Sequence, residues 1–255
     1  MKKIIVVTIA LNLLSLYALA AVSDTTIQGV NVQFSYDPSI FPESWRGGAI
    51  DGQGENIAPG EISRTNPVMI KALKKYPVSV LQTNLTSVYF LKSMKFYNVG
   101  FGGTNSTDAL YLTNDGIAMG YTDSYLEQTF HHEFSSILFR NYPSLLDTVE
   151  WKKANIPGFD YNDPEAGVGA IRNNQSSQDA DTFLCKKGFL TQYAYSSLEN
   201  DVNTLAQNLF RPGARFWTIV DHYPRIRKKV TLLINFYHNI DAAFTEPYFR
   251  KFETQ

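Results

Sequence analysis

Residues 123–142 constrain the fold of this chain more than any other stretch. Phe130, Phe134, Ile137, Leu138 and Tyr142 recur at helical spacing and form one apolar stripe. Asp123 or Ser124 precedes the stripe as an N-cap, Glu127 falls in the first turn and Pro143 ends the run. The stretch therefore predicts a helix with one face in the core. His132, Glu133 and Ser136 fall on or beside a second face of the same helix, so an imidazole and a carboxylate are expected side by side against whatever packs there.

The rest of the chain has to supply that packing. With 255 residues and 44% hydrophobic residues it can bury a sizeable core. A net charge of -1 and the lack of a long basic run argue against a nucleic-acid partner. The cluster Arg225-Ile226-Arg227-Lys228-Lys229 reads as a solvated helix face. Cys185 is the sole cysteine, which excludes an internal disulfide and a cysteine-rich zinc site, and it reads as a buried structural thiol. At the start, Lys2 and Lys3 precede an apolar run from Ile4 to Tyr17, and Ala18-Leu19-Ala20 supplies small residues at cleavage spacing. This is the pattern of an export signal, 1–21, cut near Ala20, and it places the mature chain in the periplasm, on the cell surface or outside the cell. The run is shorter than the ~20 residues of a membrane span. No cysteine at the cleavage region provides for a lipid anchor.

Coarse patterning gives a mixed α+β single domain. Val30 to Tyr36 alternates apolar and polar residues as a strand does, and 46–65 reads as loop, so 22–66 forms a strand-and-loop extension to a domain spanning 67–255. Pro67 to Tyr76 predicts a helix with proline in its first turn. Ser87 to Tyr97 reads as a strand, Gly100 to Gly103 as a turn or bulge, and Ala109 to Leu112 as a short strand near the sheet edge. Residues 155–181 read as a long loop. Glu199 to Phe210 and Pro224 to Asn239 predict two further helices.

A metallopeptidase helix carries His-Glu-x-x-His, two zinc-binding imidazoles one turn apart with a carboxylate to take a proton from the metal-bound water. Here His132-Glu133-Phe134-Ser135-Ser136 carries the first imidazole and the carboxylate, with serine at the last place. A second stretch, Gly188 to Asp201, adds Gly188-Phe189, Tyr193-Ala194 and Ser196-Ser197 in the same order downstream. Together with the strand and Gly-Gly-Thr turn of Lys95 to Ser106, these stretches resemble the exported HExxH zinc metallopeptidases, zincin-like proteins of the bacterial surface lipoprotein type. In that family T-x-x-H-E-F-x-H-I-L is followed by G-F-x-x-x-Y-A-x-S-S-P-x-E-D-F-A-E. The resemblance spans most of residues 67–240. It implies a zincin-like fold in which a mixed sheet packs on the active-site helix and the C-terminal helices.

By the same resemblance, His132 matches the first zinc ligand, Glu133 the general base, Tyr193 the tyrosine that stabilises the oxyanion, and Asp201 the aspartate after the third ligand. Three positions depart from the pattern: Ser136 stands in place of the second histidine, Asn200 in place of the ligand glutamate, and Thr204 in place of a later glutamate. A hydroxyl and an amide are weak zinc donors, so zinc, the family's cofactor, is expected to be absent or weakly held. The expectation is a degenerate, non-catalytic relative that binds a peptide or protein partner. The alternative is an active zinc hydrolase with a rearranged ligand set, in which His222 or a partner chain completes the site.

Overall fold

The structure is a computed structural model that describes residues 24–161 and 165–254. The export-signal reading falls on residues outside that range. In chain order the elements are β1 (Thr25–Ile27), β2 (Val30–Gln33), β3 (Gln53–Asn56), α1 (Pro59–Leu73), α2 (Val78–Asn84), β4 (Ser87–Phe96), β5 (Val99–Gly100), β6 (Gly103–Asn105) and β7 (Ala109–Thr113). There follow α3 (Asp123–Asn141), α4 (Thr148–Lys153), α5 (Ala166–Arg172), α6 (Thr182–Lys187), α7 (Leu198–Phe210), α8 (Phe216–His222), α9 (Pro224–Ile240) and α10 (Glu246–Arg250). Among the described residues, no helix is long and apolar enough to cross a membrane.

The sheet is mixed, as expected, with strand order β1-β2-β4-β7-β6. β4 runs parallel to β2 and β7, while β1 and β6 close the two ends antiparallel. The far half of β4 pairs with β3 and with β5. The β4–β5 hairpin turns through Tyr97 and Asn98, whose φ values of 53° and 59° lie in the left-handed region. A two-residue hairpin turn needs that geometry to match the twist of its strands. Alternation along the strands sorts side chains to two faces. Val88, Phe90, Leu110 and Leu112 enter the main core beneath α1, α3, α7 and α9. Leu91, Ala109 and Tyr111 enter a smaller core on the other face, covered by Phe41, with Trp45 packed against it. Both faces being covered, all five residues of β7 are buried; β7 lies one strand in from the edge, and β6 is the edge.

Five expectations need correction. Residues 155–181 are not one long loop, because α5 lies within them. Residues 46–65 are not loop throughout: β3 lies within them and α1 begins at Pro59. Pro59 is the first-turn proline, whereas Pro67 sits inside the helix, so the proline that reads as a helix start marks its middle. The N-cap of α3 is Thr122, one residue earlier than expected, with its hydroxyl accepting from the Tyr125 N–H at 3.2 Å. The basic cluster of α9 is not all solvated either, because Lys229 is fully buried.

Candidate functional site: a polar trough between α3 and α7

Helix α3 is buried on every side from Phe130 to Leu138. Its apolar stripe faces the core, and its second face meets β6 and α7. β6 comes so close that a Cβ at Gly103 would lie 2.7 Å from Glu133 Oε1 and 2.7 Å from Thr129 Cγ2, so only glycine fits there. Helix α7 is capped by Ser197, whose hydroxyl accepts from the Asn200 N–H at 3.0 Å. From that start Asn200, Asn203 and Gln207 share one face at helical spacing. That face is turned toward α3.

These residues pair across the gap. His132 Nδ1 donates to Gln207 Oε1 at 2.8 Å, and the Gln207 amide is oriented by its Nε2, which reaches Gln178 Oε1 at 3.4 Å. The ring proton therefore sits on Nδ1. Asn203 Nδ2 donates to Ser136 Oγ at 2.6 Å. Asn200 Nδ2 donates to Ser196 Oγ at 2.8 Å, and the same amide reaches His132 and Tyr193. Asn105, from β6, donates to Glu133 Oε2 at 2.5 Å. The Tyr193 ring lies 5.9 Å from that of His132. Thus His132, Glu133, Ser136, Tyr193 and Asn200, five of the residues that the sequence singles out, line one trough.

Burial sets the charge state of this trough. It pulls the His132 imidazole down to about 4, against Gln207 and Asn200, which favour the proton. It pushes the Glu133 carboxyl up to about 7, an effect that Glu199 reinforces and that Asn105 and Arg140 oppose. Burial likewise raises the Tyr193 phenol well above its ordinary value, and Glu133 adds to the rise. At neutral pH the trough holds a neutral imidazole, a neutral phenol and a carboxyl near half-protonation.

The donor set does not fit a zinc ion. His132 is suited to the task, since its Nδ1–H is already engaged and Nε2 keeps a lone pair. The other two places offer a hydroxyl that accepts from Asn203 and an amide bonded to Ser196. Among the described residues, no three His, Cys, Asp or Glu side chains are grouped so as to hold a metal ion. His222 does not complete the set. It is exposed at the end of α8, with its ring 4.8 Å from that of Tyr223. His131 points into the core, where Nδ1 pairs with the Tyr76 hydroxyl at 2.9 Å.

Asp201 faces away from the trough. Its Oδ2 takes Lys229 Nζ at 2.5 Å, Trp151 Nε1 at 2.8 Å and the Tyr161 hydroxyl at 2.5 Å, and Lys229 Nζ also donates to Gly188 O at 2.6 Å. This explains the buried lysine of α9. Asn203 and Gln207 were legible in principle, because they stand three and seven residues beyond Asn200 on the expected helix. Asn105 carries no such signal, since strand pairing alone brings it to Glu133.

No family model matches the chain, and no curated protein sequence matches it. Among solved structures, a chain reported as a "putative zinc-binding metallo-peptidase" from Bacteroides caccae superimposes with a TM-score of 0.51 at 15% sequence identity, over 76% of this chain and 75% of that one. At that identity the likeness is one of fold, and the chain has a metallopeptidase-like fold.

Proposed function

We propose that this protein is an exported, non-catalytic relative of zinc metallopeptidases whose trough binds a peptide or a protein segment. One observation carries the reading. The places that the family resemblance assigns to the second and third zinc ligands hold Ser136 and Asn200, and Ser136 accepts a 2.6 Å hydrogen bond from Asn203 on the facing helix. Amide-to-hydroxyl pairing now links the two helices that a metal ion would otherwise join. Without an activated water, Glu133 has nothing to deprotonate.

The trough keeps features that suit a peptide. Among the described residues β6 pairs only with β7, which leaves its other edge without a strand partner. Beside that edge lie the amides of Asn105, Asn200 and Gln207 and the hydroxyl of Tyr193, all of which can pair with backbone groups. The test is metal content together with cleavage and binding. Protein equilibrated with zinc and then desalted is expected to hold far less than one zinc per chain and to cleave no peptide in a chelator-sensitive manner. Selection from a randomised peptide library is expected to return binders that lose about tenfold affinity, or about 1.4 kcal/mol, on Tyr193→Ala. Stoichiometric zinc with chelator-sensitive cleavage would overturn the proposal.

A further inference from the structure

The trough has a roof. Two adjoining cavities, of about 310 and 250 Å³, share Phe101, Gly103, His132, Glu133 and Tyr193 in their walls. Helix α5 contributes to both, through Ile171 in the first and through Gly167 and Val168 in the second. On one bank α5 packs against β5. On the other, Gly167 seats against the ends of Tyr193 and Asn200. A Cβ at Gly167 would lie 2.5 Å from Tyr193 Oη and 3.0 Å from Asn200 Nδ2. The Asn200 end is held by its bond to Ser196, and the Tyr193 ring is half-buried beside His132, so neither can readily give way.

The helix itself is weak. It has seven residues, two of them glycine, which is too short and too flexible to persist without tertiary contacts. Bonds that tie its ends include Arg172 to Glu165 at 2.9 Å, the Gln175 N–H to Ala170 O at 2.8 Å, and, further along, the Tyr193 N–H to Ser177 O at 3.1 Å. A short element held mainly by its seat opens locally at small cost.

We propose that α5 is a strap that closes the trough and lifts to admit a peptide, with Gly167 as the residue that allows it to seat. The peptide rests on the reading given above; the strap can be tested without it. In a Ser136→Cys protein a thiol lies on the trough floor beneath α5, while Cys185 remains buried as an internal control. Methanethiosulfonate labelling is followed by mass spectrometry, with and without a second change, Gly167→Val. The introduced thiol is expected to react about tenfold faster or more once the valine unseats the strap, with Cys185 still protected. Equal rates at the introduced thiol with Cys185 protected would overturn the strap. If Gly167→Val exposes Cys185 as well, Ile171→Asn, which removes an apolar contact without adding a wedge, is judged by the same two rates. Equal thiol rates in a protein that still binds library peptides would remove the strap alone. Faster rates in a protein that binds none would uphold the strap and remove the peptide reading.

Discussion

Asn200 and Asp201 are neighbours in sequence, about 100° apart around α7, and meet two different surroundings. Asn200 faces a trough of neutral amides and hydroxyls, in reach of His132, Tyr193 and Ser196. Asp201 faces a closed ionic cluster in which both it and Lys229 are fully buried. The side of α7 toward the trough carries an amide, and the side toward Lys229 carries a buried ion pair.

The largest test of that contrast is Asp201→Ala. It leaves the Lys229 ammonium buried over the Phe189 ring with only Gly188 O to receive it. Removing one partner of a buried pair costs about 3–5 kcal/mol, so the variant is expected to unfold at much lower urea concentration than the parent. Adding Lys229→Met should restore most of the loss, since the pair is then replaced by apolar packing. If Asp201→Ala were no worse than Asn200→Ala, the two sides of α7 would not differ as described.

The second test is pH. Glu133 is held near 7 in the fold, above its ordinary 4.5, so its proton favours the folded chain. That contribution is complete below pH 4.5 and is lost as pH rises through 7. Glu133→Gln removes it. The stability of the parent relative to this variant is expected to fall by roughly 3 kcal/mol between pH 4.5 and pH 8, measured by urea unfolding. Burial holds His131 and His132 near 4, below the usual 6.5, so both favour the folded chain above pH 6.5 and cease to as pH falls through 4. That acid-side loss is common to both proteins and cancels in the difference.

The third test asks whether the trough still has the geometry of a metal site. Ser136→His with Asn200→Glu supplies the ligand types of the zinc metallopeptidases that the sequence resembles, and Asn203→Ala clears the amide that sits 2.6 Å from Ser136 Oγ. The triple variant is expected to gain about 2.7 kcal/mol of stability at a hundredfold excess of zinc over its dissociation constant, read as a zinc-dependent rise in melting temperature. A melting temperature indifferent to zinc would mean that α3 and α7 do not present these positions as a ligand set.

How far the sequence reached follows from the range of each interaction. α7 and α9 were legible from a helical period, α3 from its apolar stripe and its end signals, and β4 from a run rich in apolar and aromatic residues. α5 was not, since two glycines in seven residues leave no periodic signal. The trough's core of His132, Glu133, Ser136, Tyr193 and Asn200 could be named from two local stretches. Of the partners that fix its state, Asn105 could not be named, because it reaches Glu133 from β6 with no signal in its own stretch, and Gln207 was legible as a position on the α7 face but not as the partner of His132. Lys229 reads as a surface charge until Asp201 is known to lie opposite it.

The smallest effect is expected at Ser136→Ala, and its size decides what kind of joint the trough is. The change removes the acceptor of the Asn203 amide. In a closed interior, an orphaned donor costs about 1–3 kcal/mol. Here Ser136 and Asn203 border a cavity of about 250 Å³, polar and large enough for water to take the place of the hydroxyl. The cost is then the net worth of one hydrogen bond, about 1 kcal/mol or less in urea unfolding. A loss close to that of Asp201→Ala would make the Ser136–Asn203 contact a structural clamp in its own right. A loss of the expected size would leave α3 and α7 joined chiefly by their apolar faces, with the polar seam between them free to exchange its internal bonds for those of a ligand.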